Sequence, residues 1–248
     1  MKTRIDGYRR ALYVLYKTLA ISVPTVVEAA LGRLDMDKGD RRLDGWARGI
    51  LARAGTHVNV VHGEHRTAAP AFVLMSNHAS YFDIPIVYVA FQRRLRMVAK
   101  SELFRVPIWG RAMRDAGFVS VVRGGDPARA AASMQVAGDL IHSGTSVWIA
   151  PEGGRSRTGE LGAFKKGGFH LASATRTPIL PLYIDGSAKI LPPEGGLAVV
   201  SGIDVQVTFG APVAVERIVG GVSELRPVDE LVADVRAFLV AQAAARRS

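Results

Sequence analysis

The chain has 248 residues, of which 48% are hydrophobic and 22% charged, so a disordered chain is excluded and one domain, with or without an appendage, is expected. It has no cysteine, which excludes disulfides, cysteine-ligated metals and thiol nucleophiles and is compatible with a cytosolic protein. Lys and Arg number 32 against 22 Asp and Glu, and the net charge of +10 favours anionic partners such as nucleic acid, lipid headgroups or phosphorylated substrates.

The amino-terminal segment predicts a helix over residues 8–32 that kinks or breaks at Pro24. No secretory signal is convincing, because the apolar stretch lacks a small-residue cleavage site. Lys17, Pro24 and Glu28 interrupt that stretch, so it never reaches the roughly 18 uninterrupted apolar residues of a membrane span. Basic residues flank it: Lys2, Arg4, Arg9, Arg10 and Arg33. We therefore expect a helix in the membrane interface, and the alternative is a helix packed on the domain's own core.

A polar stretch over residues 34–45 predicts a linker or turn, and residues 46–54 predict a short helix. Short apolar runs then alternate with helical patterns. The predicted strands are 57–62, 71–75, 96–99, 118–122, 145–150, 179–184 and one or two strands within 197–209. The predicted helices are 84–91, 107–115, 126–142, 168–174 and 228–245.

This alternation predicts an α/β fold with a mixed, largely parallel sheet flanked by helices. The change in pattern near residue 55 divides the chain into two parts. Residues 1–54 are predicted to be an amino-terminal helical membrane-interface segment, and residues 55–248 the α/β domain. No internal repeat or long low-complexity tract interrupts either part.

A histidine and an aspartate follow the predicted strand 71–75, at the kind of strand end where α/β sheets bind ligands. Four residues separate His78 from Asp83, and the turn between them can fold the carboxylate onto one ring nitrogen. That contact fixes the tautomer and leaves the other nitrogen as a base. Such a pair is sufficient when the substrate brings its own nucleophile, for example a hydroxyl. The alternative is a loop histidine, with Asp83 capping a helix.

A glycine-rich basic loop follows the predicted strand 145–150. Its glycines allow close approach of the backbone to a ligand, and Arg155 and Arg157 offer planar donors that suit phosphate. Hydroxyls come from Ser156 and Thr158, and two lysines, Lys165 and Lys166, follow in the same loop. The pattern indicates a polyanion-binding loop, and the alternative is a basic loop that only contacts solvent.

Two further segments carry weaker signals. Gly117–Arg123 is an apolar strand that delivers Arg123 at its end, either to the same anion or to the open surface. Ile179–Tyr183 is an apolar strand that contains Pro181, and it suits an acyl or headgroup surface as well as it suits core packing.

These four segments, in this order, resemble the glycerophospholipid acyltransferase family. The family pattern is Asn-His-x4-Asp, then Gly-x-Ile/Val-x3-Arg, then Glu-Gly-Thr-Arg-Ser, then a Val/Ile-Pro strand. The matching residues are Asn77-His78…Asp83, Gly117…Arg123, Glu152-Gly153-Gly154-Arg155-Ser156 and Leu180-Pro181, and Ser80 and Tyr81 within the first motif also fit. The resemblance covers about residues 55–185. It departs at Gly154, where the family usually has Thr, and at Ala150, where Phe is common.

The resemblance implies transfer of a fatty acyl chain from acyl-CoA or acyl carrier protein to the hydroxyl of lysophosphatidic acid, giving phosphatidic acid. His78 would be the general base and Asp83 would orient it. The residues implied to bind substrate are Asn77, Ser80, Arg123, Glu152, Gly153, Arg155, Ser156 and Lys165. Arg123 and Arg155 would bind the acceptor's phosphate. No cofactor or metal is expected, and the amino-terminal helices would place the enzyme on an anionic phospholipid surface at the cytoplasmic face of the membrane.

Other functions are less well supported by the residues. The same chemistry on glycerol 3-phosphate, another lysophospholipid or an aminolipid stays open. A serine hydrolase lacks its Gly-x-Ser-x-Gly turn, and a nucleotide binder lacks both glycine-rich phosphate motifs. His62 and His65 lie near a glutamate, but the His-Glu-x-x-His pattern of a zinc site is absent. Basic residues are spread along the chain without a nucleic-acid motif, so no nucleic-acid partner is expected.

Overall fold

The computed structural model describes residues 2–121, 127–192 and 196–246. Within them, seven strands form one sheet: β1 (Val58–Val61), β2 (Val73–Ser76), β3 (Leu95–Lys100), β4 (Val119–Val121), β5 (Ser146–Ile149), β6 (Ile179–Asp185) and β7 (Val205–Phe209). The helices are α1 (Lys2–Ala30), α2 (Met36–Ala54), α3 (Asp83–Phe91), α4 (Trp109–Asp115), α5 (Pro127–His142), α6 (Gly167–Ala174), α7 (Ser187–Ile190) and α8 (Val228–Ala245).

The strand order across the sheet is β1-β7-β6-β2-β5-β3-β4. Strands β6 and β7 pair antiparallel, and every other neighbouring pair in this sheet is parallel. Five adjacent strands, from β6 to β4, therefore run in one direction and end at one edge. The predicted α/β fold with a mixed, largely parallel sheet is confirmed.

The sheet is buried on both faces, which explains why its central strands are continuously apolar in sequence. In β2 and the residue before it, Phe72 and Leu74 face one core cluster, whereas Val73 and Met75 face the other. Helices α2 and α3 cover the first face, and helices α5, α6 and α8 cover the second. The two loops of the candidate site follow β2 and β5, at the ends of these strands.

The amino-terminal region differs from its prediction in two respects. The linker expected over 34–45 is wrong, because α2 already begins at Met36. Asp35 caps it by accepting a hydrogen bond of 2.6 Å from the backbone N–H of Lys38. Of the charged residues that suggested a linker, Asp37 and Arg41 are exposed on this helix, whereas Lys38, Asp40, Arg42 and Asp44 are half-buried. Leu43 and Ala47 face the core. Helix α1 also continues through Pro24 without a break.

A second sheet was not predicted. Strands β8 (Glu216–Val219) and β9 (Val222–Leu225) form an antiparallel hairpin whose turn is Gly220-Gly221. The hairpin is largely exposed, so its sequence shows no alternation between a buried and a solvent face. Of the one or two strands expected within 197–209, the structure contains only β7 in the described part of that stretch.

Helices α1 and α2 are held together by polar contacts. Glu28 pairs with both Lys38 and Arg42 at 2.7 Å, and the Trp46 indole N–H donates to the Thr18 hydroxyl at 3.1 Å. The hydrogen bonds from Arg42 and Lys38 lower the pKa of Glu28 from its ordinary value of 4.5 to about 2. The ion pairs therefore favour the folded state wherever the carboxylate is charged in both states.

We expect Glu28→Gln to lower the melting temperature at pH 7 and to have a progressively smaller effect below pH 4.5. Because the pKa of Glu28 is depressed in the folded state, its contribution is complete above the ordinary value of 4.5 and is lost as the pH falls towards about 2. Thermal unfolding of both proteins at pH 7, 4 and 2 measures this. A difference that stays constant over that range contradicts the assignment.

Candidate active site

Strand register brings two of the sequence motifs together at one edge of the sheet. Strand β2 lies between β5 and β6, with Met75 opposite Ile149 and Ser76 opposite Leu182. The chain therefore leaves β2 towards His78 close to where it leaves β5 towards the glycine-rich loop. The backbone N–H of Ser156 donates to the carbonyl of His78 at 2.6 Å, which fastens the two loops to each other.

The imidazole and the carboxylate meet as the spacing predicted. Nδ1 of His78 lies 2.6 Å from Oδ2 of Asp83, whose side chain is fully buried, whereas the His78 side chain is 15% exposed. The same Oδ2 accepts the backbone N–H groups of Ala79 at 2.8 Å and Ser80 at 2.9 Å. An oxygen with two backbone donors acts as a fixed acceptor, so this network assigns the proton to Nδ1 and leaves Nε2 as a base. The other oxygen, Oδ1, is buried and has no partner among the described residues.

Trp148 packs against the imidazole of His78, a contact that no sequence pattern indicated. Its ring lies edge-on to His78, with centroids 5.5 Å apart and planes at 80°. The indole N–H donates to the hydroxyl of Ser76 at 2.9 Å, which fixes the indole in turn. In sequence, Trp148 is one more apolar residue of a buried strand. Only the pairing of β5 with β2 places it beside the base.

Two residues expected to bind substrate, Asn77 and Ser80, make hydrogen bonds within the protein. The amide of Asn77 donates to the carbonyl of Ile184 and accepts from its N–H, both at 2.8 Å. The hydroxyl of Ser80 is fully buried, donates to the carbonyl of Leu191 at 3.1 Å and accepts from the N–H of Phe82 at 3.2 Å. These bonds tie the His78 loop to β6 and to the segment after α7.

The glycine-rich loop is shaped by its own polar groups. Glu152 accepts from the N–H of Gly162 at 2.9 Å through Oε2, while its Oε1 is buried without a partner among the described residues. The Ser156 hydroxyl donates to the carbonyl of Glu160 at 2.8 Å. Gly153 has φ of 75°, a conformation that side-chain-bearing residues rarely adopt. Lys165 has an exposed side chain, and its N–H closes the loop by donating to the carbonyl of Pro151 at 2.7 Å.

The loop encloses an open cleft of about 340 Å³, lined by Glu152, Gly153, Gly154, Arg155, Ser156, Thr158, Glu160, Gly162 and Ala163. Arg155 contributes the positive charge to this lining, and no carboxylate among the described residues forms an ion pair with it. The second arginine expected to bind phosphate, Arg123, lies outside the described residues. Strand β4, which precedes it, ends at Val121 on the same edge of the sheet as His78.

Within the described residues, the arrangement supplies an imidazole held by a carboxylate and, in the next loop, a cleft whose lining contains Arg155 together with Glu152 and Glu160. The hydroxyls of Ser76, Ser80 and Ser156 each donate a hydrogen bond to a backbone carbonyl. The described residues also contain no group of three His, Cys, Asp or Glu side chains able to hold a metal ion. The chemistry that fits is removal of a proton from a substrate hydroxyl by Nε2 of His78, with Arg155 in the neighbouring loop.

Fold and site together define an α/β protein with a hydrogen-bonded His–Asp pair at the carboxyl edge of its sheet. The family model described as Acyltransferase matches residues 57–185, just over half of the chain, and that range contains both motif loops. The chain belongs to this Acyltransferase family.

Several named proteins are similar to the chain. A chloroplastic 1-acyl-sn-glycerol-3-phosphate acyltransferase of Brassica napus is 34% identical over 141 residues, covering 57% of this chain and 40% of that protein. The Saccharomyces cerevisiae protein of the same activity name is 31% identical over 153 residues, covering 58% and 48%. The matches thus span less than half the length of these relatives. The crystal structure of the 1-acyl-sn-glycerophosphate (LPA) acyltransferase PlsC from Thermotoga maritima superposes with a TM-score of 0.76 at 21% identity, over 99% of this chain and 98% of that one.

We expect Asp83→Ala to lower the free energy of unfolding by roughly 1–3 kcal/mol, because two buried backbone N–H groups lose their acceptor. His78→Ala should cost less, since it leaves those two bonds in place. Chemical denaturation of both variants against the unmodified chain measures the difference. Equal costs would show that Oδ2 of Asp83 does not organise the loop.

Proposed function

We propose that the chain transfers a fatty acyl chain from acyl-CoA or acyl carrier protein to the hydroxyl of lysophosphatidic acid and so forms phosphatidic acid. The single observation that carries this proposal is the 2.6 Å hydrogen bond between His78 and buried Asp83, beside a loop that presents Arg155. Relatives named 1-acyl-sn-glycerol-3-phosphate acyltransferases support the choice of reaction and acceptor.

The reaction follows from the tautomer that Asp83 imposes. Nε2 of His78 takes the proton from the acceptor hydroxyl as the oxygen attacks the thioester carbonyl. The carbon–sulfur bond breaks, and the imidazolium returns the proton to the departing thiolate, so the enzyme ends the cycle unchanged. General-base catalysis of this kind contributes about 10²–10⁴-fold. The remaining rate enhancement comes from holding hydroxyl and thioester together.

Binding of the acceptor's phosphate would orient its hydroxyl towards the thioester. Arg155 lines the cleft next to the His78 loop, and its planar donors suit a phosphate. Arg123 and Lys165 are proposed to add charge to the same site. Glu152, Gly153 and Ser156 fix the shape of the loop through the bonds described above. For Asn77 and Ser80 we propose positioning of the His78 loop in place of direct contact with substrate.

The acceptor is open to a second proposal within the same chemistry. Gly154 lines the cleft without the hydroxyl that the family usually has there, so one donor to the acceptor is missing. Glycerol 3-phosphate, another lysophospholipid or an aminolipid remains an alternative acceptor. Initial rates over a panel of these compounds, with one acyl-CoA as donor, distinguish them.

Helix α1 supplies the proposed contact with the membrane. Between Arg4 and Ala30 it is long and apolar enough to cross a membrane by length and composition alone, and only 11% of that stretch is buried. One side packs on α2 and α4, and Ser22 and Thr25 are buried there. The other side exposes apolar residues at helical spacing: Ile5, Tyr8, Leu12, Leu15, Tyr16, Leu19, Val23 and Val27. A helix bound to its own domain on one side and apolar on the other suits the membrane interface.

The net charge of +10 supports an anionic phospholipid surface as the partner of this helix. We propose the cytoplasmic face of the membrane as the location, where acyl-CoA and acyl carrier protein are both accessible. Acyl carrier protein would then be a transient partner that delivers the donor. Both substrates are amphiphiles, so binding at the interface places the site where they accumulate.

The first test of the function is His78→Ala. We expect kcat to fall by about 10²–10⁴-fold because the base is lost, while the fold stays intact. Release of CoA from acyl-CoA in the presence of lysophosphatidic acid measures kcat, and circular dichroism checks the fold. The matched control is His142→Ala, which removes a histidine outside the site, at the last residue of α5, and should leave kcat unchanged. Near-normal turnover by His78→Ala would disprove the mechanism.

The second test concerns the membrane. Replacing Leu12, Leu15 and Tyr16 together by Ser should weaken binding to anionic vesicles by ~10-fold or more, because these side chains are 65%, 56% and 65% exposed and would lie in the lipid. Vesicle flotation measures binding.

The β8–β9 hairpin offers a matched control. Replacing Ile218, Val219 and Val222 together by Ser removes three apolar side chains of comparable exposure, at 71%, 45% and 62%. Vesicle binding should stay close to that of the unmodified chain. If both triple variants lose binding equally, general surface hydrophobicity is responsible and α1 is not the membrane contact.

A further inference from the structure

Tyr81 lies in the His78 loop, and among the described residues its side chain makes no hydrogen bond with His78 or Asp83. Its side chain is exposed, at 52%, between β2 and α3. The guanidinium carbon of Arg155 lies 3.7 Å from the centre of the Tyr81 ring. The two loops that leave β2 and β5 are therefore joined by a second contact, besides the backbone bond between Ser156 and His78.

A separation of 3.7 Å is the contact distance of two stacked planes. It is shorter than the other cation–ring contacts of the described residues, such as Arg236 over Phe164 at 5.2 Å and Arg53 over Tyr13 at 5.9 Å. Stacking uses the flat face of the guanidinium and leaves its N–H groups, which lie in the plane, for another partner. No carboxylate of the described chain occupies them.

We propose that Tyr81 is a positioning residue for the acceptor's phosphate, which it aligns through Arg155. The ring holds the guanidinium in one orientation, so that its N–H edge faces the anion beside His78. Arginine side chains have many rotamers, and an arginine that is already oriented loses less freedom when a ligand binds. This inference rests on the proposed function and adds a residue that recognises no substrate atom itself.

The experiment compares three variants at one position. Tyr81→Phe keeps the aromatic face, and the Tyr81 hydroxyl makes no hydrogen bond within the described residues. Tyr81→Leu keeps an apolar side chain but removes the aromatic face, and Tyr81→Ala removes both. Steady-state kinetics are measured with lysophosphatidic acid and with monoacylglycerol, an acceptor that lacks the phosphate. Melting temperatures are measured alongside to detect any loss of folding.

We expect Tyr81→Leu and Tyr81→Ala to raise the KM for lysophosphatidic acid by about 3- to 30-fold, the range of a cation–π contact, with little change in kcat or in the donor's KM. Tyr81→Phe keeps the aromatic face, so its KM for lysophosphatidic acid should stay within about threefold of that of the unmodified chain. With monoacylglycerol the variants should not differ. Arg155→Ala should also raise the KM, and adding Tyr81→Leu to it should have no further effect, because the two side chains act as one unit.

Several results would overturn the inference while the proposed function stands. These are an unchanged KM in Tyr81→Leu, an equal loss in Tyr81→Phe and Tyr81→Leu, additive effects with Arg155→Ala, or the same penalty for monoacylglycerol. A loss of kcat at constant KM would instead assign Tyr81 to the shape of the His78 loop and would also overturn it. If the unmodified chain does not acylate lysophosphatidic acid at all, the proposed function itself fails, and this inference fails with it.

Discussion

One carboxylate oxygen organises the candidate site. Oδ2 of Asp83 accepts three hydrogen bonds, from the imidazole of His78 and from the backbone N–H groups of Ala79 and Ser80. Those bonds give the turn between β2 and α3 its shape, and they also set the tautomer of the base. The aspartate is fully buried at the first position of α3. Its hydrogen bond therefore fixes the position of the imidazole relative to the core of the domain. The other edge of the ring, with Nε2, is the one proposed to meet substrate.

The parallel sheet supplies the second constraint. Strands β2, β5 and β6 end at the same edge, so segments that are about 70 and 105 residues apart in sequence become neighbours. Strand β5 places Trp148 beside the imidazole and then continues into the Arg155 loop. Strand β6 contains Ile184, whose backbone carbonyl and N–H bond the amide of Asn77. Rigid strands thus hold both the base and the proposed phosphate site, which is the arrangement that transfer between two bound substrates requires.

The amino-terminal helices relate this site to lipid. Helix α2 contributes to the core on one face of the sheet, and α1 is tied to α2 by Glu28 and by Trp46. A long apolar side of α1 is left uncovered by the described part of the chain. The proposed membrane contact is therefore fixed relative to the sheet by packed, charge-paired helices, so the orientation of the site towards the lipid follows from the fold.

The sequence by itself determined the class of fold and the segments that form the candidate site. Buried strands are continuously apolar, and His78, Asp83 and the Arg155 loop follow strands directly, so local patterns and spacing were enough to find them. Local sequence patterns failed to predict the elements that are rich in polar or exposed residues. The charged surface of α2 suggested a linker at 34–45, and the exposed β8–β9 hairpin has no alternation to detect. The partners of the site residues depended on tertiary structure alone. Trp148 lies beside His78, Asn77 bonds the backbone of Ile184, and Tyr81 contacts Arg155. These contacts join segments that lie in or directly after different strands, so strand order and register, which are set by long-range packing, decided which of them meet.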